Sequence, residues 1–317
     1  MRPQLPADWL ARMAGLPPDG GPSGADWVRR VPAILDDALQ RWALAVTGPV
    51  CTGRTAVVVP VTRSGERGDD PVSQALALKV IWPHPEALGE HLALRHWAGH
   101  GAVRLVAADP ASGALLLERL DPERDLHGEP IDEACQVIGE LLAQLHVPAP
   151  PAFLPVSDFV DRHLATLAAV GSTAVPRRIV ARTQGLAREL AADAAAARGR
   201  GDLTGHRLLH TDLHFENVLA GRRAPWLAID PKPMAGHPGF ELQPVLRNRV
   251  DELGTGAAFR WSIRRRLQIV AEAAGIDQEP ARLWSLVHTG LQIGWAAAAH
   301  DDGAESLHIA IFKALQD

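Results

Sequence analysis

The first hundred residues carry apolar side chains in two different repeats. Residues 26–46 place them at helical intervals, which predicts a helix. β-Branched residues fill 57–61, and another apolar run covers 75–82. Turn residues separate these runs. The pattern therefore predicts a short strand, a glycine turn that contains Gly48 and Gly53, and two further strands of an antiparallel sheet.

The apolar pattern continues with one helix and two more strands. The polar stretch 63–74 predicts a hairpin loop between strands, and the helical repeat after it predicts a helix that ends at Gly99 or Gly101. Apolar runs within 103–109 and 113–120 predict the two additional strands.

From residue 131 onward the spacing is mostly helical, except in the segment 208–231. We therefore predict an α+β protein with a small β-rich N-terminal lobe at 1–120 and a larger, mostly helical C-terminal lobe at 121–317. The first lobe comprises the leading helix, the glycine turn, the antiparallel sheet and one helix. With 317 residues, the chain is long enough for each lobe to bury a core.

Composition narrows the functional classes. Apolar residues make up 47% and charged residues 22% of the chain, and no stretch is apolar for long enough to predict a transmembrane helix. Prolines and charges interrupt the N-terminal segment, so we expect no secretory signal and a cytoplasmic protein. The net charge of −5 argues against a nucleic-acid partner. Two cysteines cannot form a disulfide framework. We expect a monomer or weak dimer with a small-molecule partner and no membrane partner.

The segment 210–219, HTDLHFENVL, concentrates polar groups just before an apolar run. Two interpretations compete. His210, Asp212 and His214 could form a metal site, or Asp212 and Asn217 could belong to a phosphoryl-transfer loop.

The residues that follow favour phosphoryl transfer. Short apolar runs flank the polar turn 221–225, and a hairpin centred between Arg223 and Ala224 pairs Asn217 with Asp230. Opposed residues of such a hairpin project to the same face about 5 Å apart. An amide oxygen and a carboxylate at this distance suit Mg²⁺.

Phosphoryl transfer also needs a base and a fixed cation. Asp212 lies just before the hairpin and can serve as the base. Lysine is scarce in this chain, and Lys79 lies in an apolar strand whose faces should be largely covered. An ordinary surface position does not fit this pattern. Glu90, or alternatively Glu86, offers a carboxylate in the following helix that could hold the ammonium group.

These motifs resemble a known family. LLHTDLHFENVL, WLAIDPKP and GHPGFEL are similar to motifs of the aminoglycoside phosphotransferase family, in its branch of streptomycin 6-phosphotransferases and hydroxyurea phosphotransferases. The resemblance runs from about Ala33 to the C-terminal helices. It implies a protein-kinase-like bilobal fold, ATP and Mg²⁺ as cofactors, and a small-molecule hydroxyl as phosphate acceptor.

The resemblance also implies roles for individual residues. Asp212 matches the catalytic base, and Asn217 and Asp230 match the magnesium ligands. Lys79 matches the lysine that binds the phosphates, with Glu90 as its ion-pair partner.

Other positions follow from the same resemblance. It implies nucleotide binding below the turn of Gly48 and Gly53, and near an interlobe hinge that contains Glu118 and Leu120. His210 would brace the catalytic loop.

Two positions depart from the family pattern. Glu241 stands where the family usually has aspartate, so we expect looser bracing of the catalytic loop. The glycine turn TGPVCTG is not a complete G-x-G-x-x-G motif, so its nucleotide contacts are less defined.

Two other functions remain as alternatives. One is a nucleotide-binding pseudokinase, and the other is a metal-dependent hydrolase that uses His210, Asp212 and His214. The acceptor is also open. Streptomycin carries guanidinium groups that call for carboxylates, whereas hydroxyurea does not. Candidate carboxylates for a cationic acceptor are Asp158, Asp161, Asp251, Glu252, Asp301 and Asp302.

Overall fold

The computed structural model describes residues 3–63, 75–170 and 175–316. The predicted hairpin loop at 63–74 lies outside these residues, apart from Arg63. The chain divides into two compact units: Met1–Glu123 with Ala220–Leu227, and Arg124–Leu219 with Ala228–Asp317.

Helices and strands are distributed unevenly between the units. The helices of the described residues are α1 (Ala7–Ala14), α2 (Gly24–Arg41), α3 (Glu90–Trp97), α4 (Ile131–Leu145), α5 (Val156–Ala169), α6 (Arg177–Gly199), α7 (Gln243–Leu246), α8 (Gly256–Ala274), α9 (Gln278–Ala298) and α10 (Asp302–Leu315). The strands are β1 (Leu44–Val46), β2 (Cys51–Thr52), β3 (Ala56–Arg63), β4 (Leu76–Ile81), β5 (Leu105–Asp109), β6 (Ala114–Glu118), β7 (Asp121–Asp125), β8 (Arg207–Leu209), β9 (Val218–Ala220), β10 (Trp226–Ala228) and β11 (Met234–Gly236). None of the helices in the described ranges is both long and apolar enough to cross a membrane.

The first unit is built on an antiparallel sheet. Its strands follow the order β1-β3-β4-β6-β5, and β2 pairs with β3. One face packs against α1 and α2, where Trp9 and Trp27 meet edge to face with ring centroids 5.8 Å apart. Every residue of β4 is buried, so both faces of this strand are covered.

The second unit is mostly helical. α4 packs against α8, and α9 packs against α5, α6 and α10. Thirteen residues of α9 are buried, which makes this helix the centre of the core. The short strands β8 and β11 pair antiparallel, with Leu209 opposite Met234, and β8 leads directly into His210.

Several predicted boundaries differ from the structure. α2 ends at Arg41 because residues 44–46 already form β1. α3 ends at Trp97, followed by Ala98 in a left-handed conformation, and not at Gly99 or Gly101. Strand β7 was not predicted, because its sequence, DPERD, lacks the apolar residues that mark a strand.

The predicted lobe boundary after residue 120 also needs a correction. The chain passes into the second unit after Glu123, and Ala220–Leu227 belongs to the first unit although the sequence placed it in the second lobe. Arg223 explains this assignment. Its guanidinium donates to Glu118 over 2.7 Å and to the Ala102 carbonyl over 2.6 Å, both within the first unit.

Candidate active site

Lys79 and Glu90 form a closed ion pair in the first unit. Lys79 lies in β4, opposite Val58 and Leu115 of the neighbouring strands. Its Nζ donates to both carboxylate oxygens of Glu90 at 2.7 and 2.9 Å, and the two side chains are 8% and 2% exposed. Glu90 is the first residue of α3, where the positive end of the helix dipole favours a carboxylate. The carboxylate that holds the Lys79 ammonium group is therefore that of Glu90, and not that of the alternative, Glu86.

The two glycines of the predicted nucleotide turn lie on either side of β2. Neither glycine has a left-handed backbone conformation. A Cβ atom added at either position would make only ordinary van der Waals contacts. The backbone therefore does not require glycine at Gly48 or Gly53. The Gly53 carbonyl accepts a hydrogen bond from the Trp9 indole over 2.9 Å, so α1 holds this turn.

Glu118 is the last residue of β6, and both oxygens of its carboxylate accept hydrogen bonds. It accepts hydrogen bonds from Arg223 and, over 2.7 Å, from the Arg104 backbone N–H. The side chain therefore serves the first unit itself, so a nucleotide contact at this position would have to come from the backbone. Leu120 is half-buried just before β7. The hinge role of both residues remains a prediction.

In the second unit, the loop after β8 is held in a strained conformation. Thr211 has φ +58°, which is rare for a β-branched residue and costs on the order of 1–3 kcal/mol. Its hydroxyl donates to the Lys232 carbonyl, and the Lys232 N–H donates to the His210 carbonyl over 2.9 Å. Lys232 is thus bonded to both His210 and Thr211. Such strain is typical of functional loops.

Glu241 braces this loop from the 3₁₀ turn Pro238–Leu242. Its carboxylate is fully buried and accepts the backbone N–H groups of His210 and, over 2.8 Å, Thr211. Its other oxygen contacts His146 Nε2. The longer side chain thus reaches both amides and His146, and these three contacts hold the loop.

His210 uses both of its ring nitrogens within the loop. Nε2 lies 2.9 Å from the Ile229 carbonyl, which can only accept, so Nε2 carries the proton. Nδ1 accepts the Asp212 backbone N–H over 3.3 Å. Burial lowers the pKa of His210, in keeping with a neutral ring. These contacts give the residue the bracing geometry that the resemblance implied.

The Asp212 carboxylate is contacted by two cations. Lys232 Nζ contacts Oδ2, and Arg247 Nη2 donates to Oδ1 over 2.9 Å. Sequence reasoning assigned a role to neither cation. Lysine scarcity, the signal that singled out Lys79, also applied to Lys232. Arginine is abundant in this chain, and no role was assigned to Arg247, although it lies in the segment LRNR at 246–249, which also resembles the family.

Asn217 and Asp230 adjoin the same loop. Asn217 Nδ2 donates to the Asp212 carbonyl over 2.8 Å, so the amide is oriented by the loop. The Ile229 N–H donates to the Asn217 carbonyl over 2.9 Å, one residue short of the predicted pairing with Asp230. Asp230 has φ +57°, because the chain turns out of the strand there. The predicted register is thus wrong by one residue, although both side chains remain at the end of the hairpin.

The donor chemistry of this pair fits a magnesium ion. An amide oxygen and a carboxylate are hard ligands of the kind Mg²⁺ prefers, and the orientation of the Asn217 amide leaves its oxygen as the ligand atom. Neither residue is a nitrogen or sulfur donor that would favour zinc.

The alternative metal site does not assemble around His214. Within the described ranges, no group of three histidine, cysteine, aspartate or glutamate side chains is arranged to hold a metal ion. Both ring nitrogens of His210 are already bonded. His214 is largely buried with its Nδ1 3.8 Å from Glu216, and burial lowers its pKa.

Two more buried histidines belong to the same region of the second unit. Burial lowers the pKa of His288 and of His308 to about 4 in each case, and the charge of Arg247 contributes to both shifts. The His288 Nδ1 lies 2.9 Å from the Phe240 carbonyl. Both rings are therefore neutral at pH 7.

A cavity of about 440 Å³ lies in the second unit, between α5, the end of α6 and β11. Asp161 is the one carboxylate among its lining residues in the described chain, and Arg198, His237 and Trp284 also line it. Of the other acids considered for a cationic acceptor, Glu252 is bonded to Arg249. The cavity is thus not rich in negative charge.

Comparison with solved structures defines the class of fold. The choline kinase of Cryptosporidium parvum superimposes with a TM-score of 0.55 at 10% sequence identity, and the match covers 89% of this chain and 94% of that one. At this identity the likeness shows the fold alone. The predicted α+β, kinase-like fold is confirmed.

Sequence comparison defines the family. The profile of the aminoglycoside/hydroxyurea antibiotic resistance kinases matches residues 41–303, and this chain belongs to that family. It is 41% identical to a hydroxyurea phosphotransferase of Kitasatospora aureofaciens, over 84% of this chain and 73% of that protein. It is 38% identical to a streptomycin 6-kinase of Streptomyces glaucescens, over 84% and 82%. The family resemblance of the motifs is confirmed.

Proposed function

We propose that this protein is a small-molecule kinase that transfers the γ-phosphoryl group of ATP to a hydroxyl of its acceptor. The observation that carries the proposal is the grouping of Asp212, Asn217 and Asp230 around one strained, braced loop. A carboxylate beside a hard-ligand pair is what phosphoryl transfer requires. Family membership supports the same reaction.

Asp212 is the base in this proposal. The acceptor hydroxyl gives its proton to the Asp212 carboxylate as its oxygen bonds to the γ-phosphorus. The bond from that phosphorus to the oxygen of ADP breaks, and ADP leaves. The role of Lys79 is to bind the nucleotide phosphates, with its ammonium group fixed by Glu90.

Asn217 and Asp230 would hold magnesium through the amide oxygen and the carboxylate. The ion supplies neutralisation of phosphate charge when it is bound. The hydrogen bond from Asn217 Nδ2 to the Asp212 carbonyl orients this ligand before any metal arrives. Preorganisation of this kind reduces the ordering cost of binding.

Two observations speak against the alternative functions. A hydrolase that used His210 as a metal ligand would have to break both of its ring hydrogen bonds. A pseudokinase lacks at least one chemical residue, whereas Lys79, Asp212, Asn217 and Asp230 are all present.

We propose hydroxyurea, or a similarly neutral hydroxyl compound, as a better acceptor than streptomycin. Two cations, Lys232 and Arg247, contact the Asp212 carboxylate, and the nearby histidines His288 and His308 are neutral. A guanidinium-bearing acceptor would meet like charge there, which costs affinity. The identity to the hydroxyurea phosphotransferase is compatible with this choice.

An acceptor-dependent ATPase assay tests the proposal. Release of ADP is coupled to NADH oxidation, with hydroxyurea, streptomycin or no acceptor, and mass spectrometry identifies the phosphorylated product. We expect ADP release that depends on Mg²⁺ and on the acceptor, with higher kcat/KM for hydroxyurea. ADP release at the same rate with and without an acceptor, across these compounds and a panel of other aminoglycosides and sugars, would contradict the kinase proposal.

A further inference from the structure

Both carboxylate oxygens of Asp212 are held by cations from outside its own loop. Lys232 follows β10, and Arg247 follows α7. The Asp212 side chain is 13% exposed, while Lys232 and Arg247 are 28% and 32% exposed. Because each oxygen has its own partner, the carboxylate cannot rotate freely about its last bond.

Arg247 is itself held in place. Its Nε donates to Gln243 Oε1 over 3.2 Å, and Gln243 is fully buried. Its backbone N–H also bonds the Gln243 carbonyl at the end of α7. A guanidinium group is planar, so bonds from Nε and Nη2 in different directions fix its plane. An ammonium group such as that of Lys232 offers no comparable constraint.

The positive charge of Arg247 is balanced by the Asp212 carboxylate and not by the histidines near it. The guanidinium lowers the pKa of His214, His288 and His308, each of which is lowered mainly by burial. Neutral imidazoles do not compensate a cation, so the carboxylate it contacts is its counter-ion. The side-chain hydrogen bonds of the guanidinium are with Gln243 and Asp212.

We propose that Arg247 is a positioning residue for phosphoryl transfer. It fixes the plane of the Asp212 carboxylate and hence the direction of the lone pair that accepts the acceptor proton. This inference rests on the proposed function, because it assumes that Asp212 is the base. A loss of orientation of this kind lowers kcat and leaves ATP binding unchanged.

The test uses two Arg247 variants and their combination with Asp212→Asn. Arg247→Gln removes the charge and alters both contacts, and Arg247→Lys keeps the charge without the planar geometry. Arg265→Gln is the matched control, since Arg265 donates to Asp132 over 3.1 Å in an exposed pair. Measurements are kcat, the KM of ATP, the KM of each acceptor, and Tm, with hydroxyurea and streptomycin as acceptors.

We expect Arg247→Gln to lower kcat by about 10- to 100-fold with an unchanged KM for ATP, as misplacement of a reacting group does. Arg247→Lys should recover part of this loss, and Arg265→Gln should match wild type. In the Asp212→Asn background, Arg247→Gln should change the residual rate by less than about twofold, because residues that act as a unit are not additive.

Three results would overturn the inference. They are an unchanged kcat in Arg247→Gln, a change confined to the KM of the acceptor, and an equal fold loss with and without Asp212. If Arg247→Gln fails to fold, Arg247→Lys decides: reduced kcat at native Tm supports the inference, and wild-type kcat refutes it. A wild-type protein without acceptor-dependent turnover would instead refute the proposed function.

Discussion

The Lys79–Glu90 pair and the group around Asp212 place charge in two different ways. The first is closed to water and balances one cation against one carboxylate. The second is partly open and surrounds one carboxylate with two cations. The Lys79–Glu90 pair is buried in the first unit, so its loss should lower stability as well as activity. The open group can lose a member at little cost in stability, so it reports on chemistry.

The largest effect is expected from Lys79→Met. This change removes the ammonium group that contacts both oxygens of the buried Glu90 carboxylate, which should lower the free energy of unfolding by about 3–5 kcal/mol and abolish most of the turnover. Urea unfolding and the coupled ATPase assay measure the two losses.

A second change separates the two roles of Lys79. The double variant Lys79→Met with Glu90→Gln removes the buried charge and should recover much of the stability without recovering activity. Recovery of both would mean that Lys79 serves the fold alone.

A smaller loss should follow from Glu241→Gln. The oxygen of the glutamine amide can still accept the N–H groups of His210 and Thr211, and its N–H can face His146, but the negative charge that these three groups contact is lost. We expect a loss of about 1–3 kcal/mol, measured by urea unfolding, because hydrogen bonds to a charged acceptor are stronger than those to a neutral one. Unchanged stability would show that the bracing of the loop does not depend on the carboxylate.

Acid should weaken the second unit through His288 and His308. Their pKa values are about 4 in the folded protein and about 6.5 when unfolded, so the unfolded chain binds more protons between these values. Stability should therefore fall as pH drops below 6.5 toward 4, at up to about 1.4 kcal/mol per pH unit for each histidine. The variants His288→Gln and His308→Gln should each flatten this dependence in urea unfolding, and an unaltered slope would contradict the assignment.

The smallest change in stability is expected for Lys232→Met. Its side chain is 28% exposed, and an ion pair of this kind contributes about 0–1 kcal/mol. The Tm should stay near that of wild type while turnover falls, because one contact that orients Asp212 is lost. A stability loss as large as that of Lys79→Met would erase the distinction between the closed pair and the open group.

The sequence predicted those site residues whose type differs from that of their neighbours in the chain. A lysine among apolar strand residues called for a buried partner, and Glu90 is that partner. The polar residues of the loop stood out before an apolar run, which led to Asp212 and Asn217. The antiparallel sheet followed from its β-branched runs.

Contacts between distant segments could not be read in this way. Arg247 lies 35 residues from Asp212 in the chain, and its arginine-rich surroundings gave it no contrast. The reach of Glu241 depends on where a 3₁₀ turn ends, and His146 joins it from another helix end. The one-residue error in the hairpin came from centring the turn between Arg223 and Ala224, whereas the bond from Ile229 to Asn217 centres it on Arg223.

The most direct test of the central claim is the substitution Asp212→Asn. If Asp212 is the base, nucleotide affinity measured by calorimetry should equal that of wild type, and kcat with hydroxyurea should fall by about 10²- to 10⁴-fold. Elemental analysis of the wild-type protein should find no stoichiometric zinc. Wild-type kcat in the Asp212→Asn variant, or one zinc ion per chain whose removal abolishes activity that Mg²⁺ does not restore, would contradict the account.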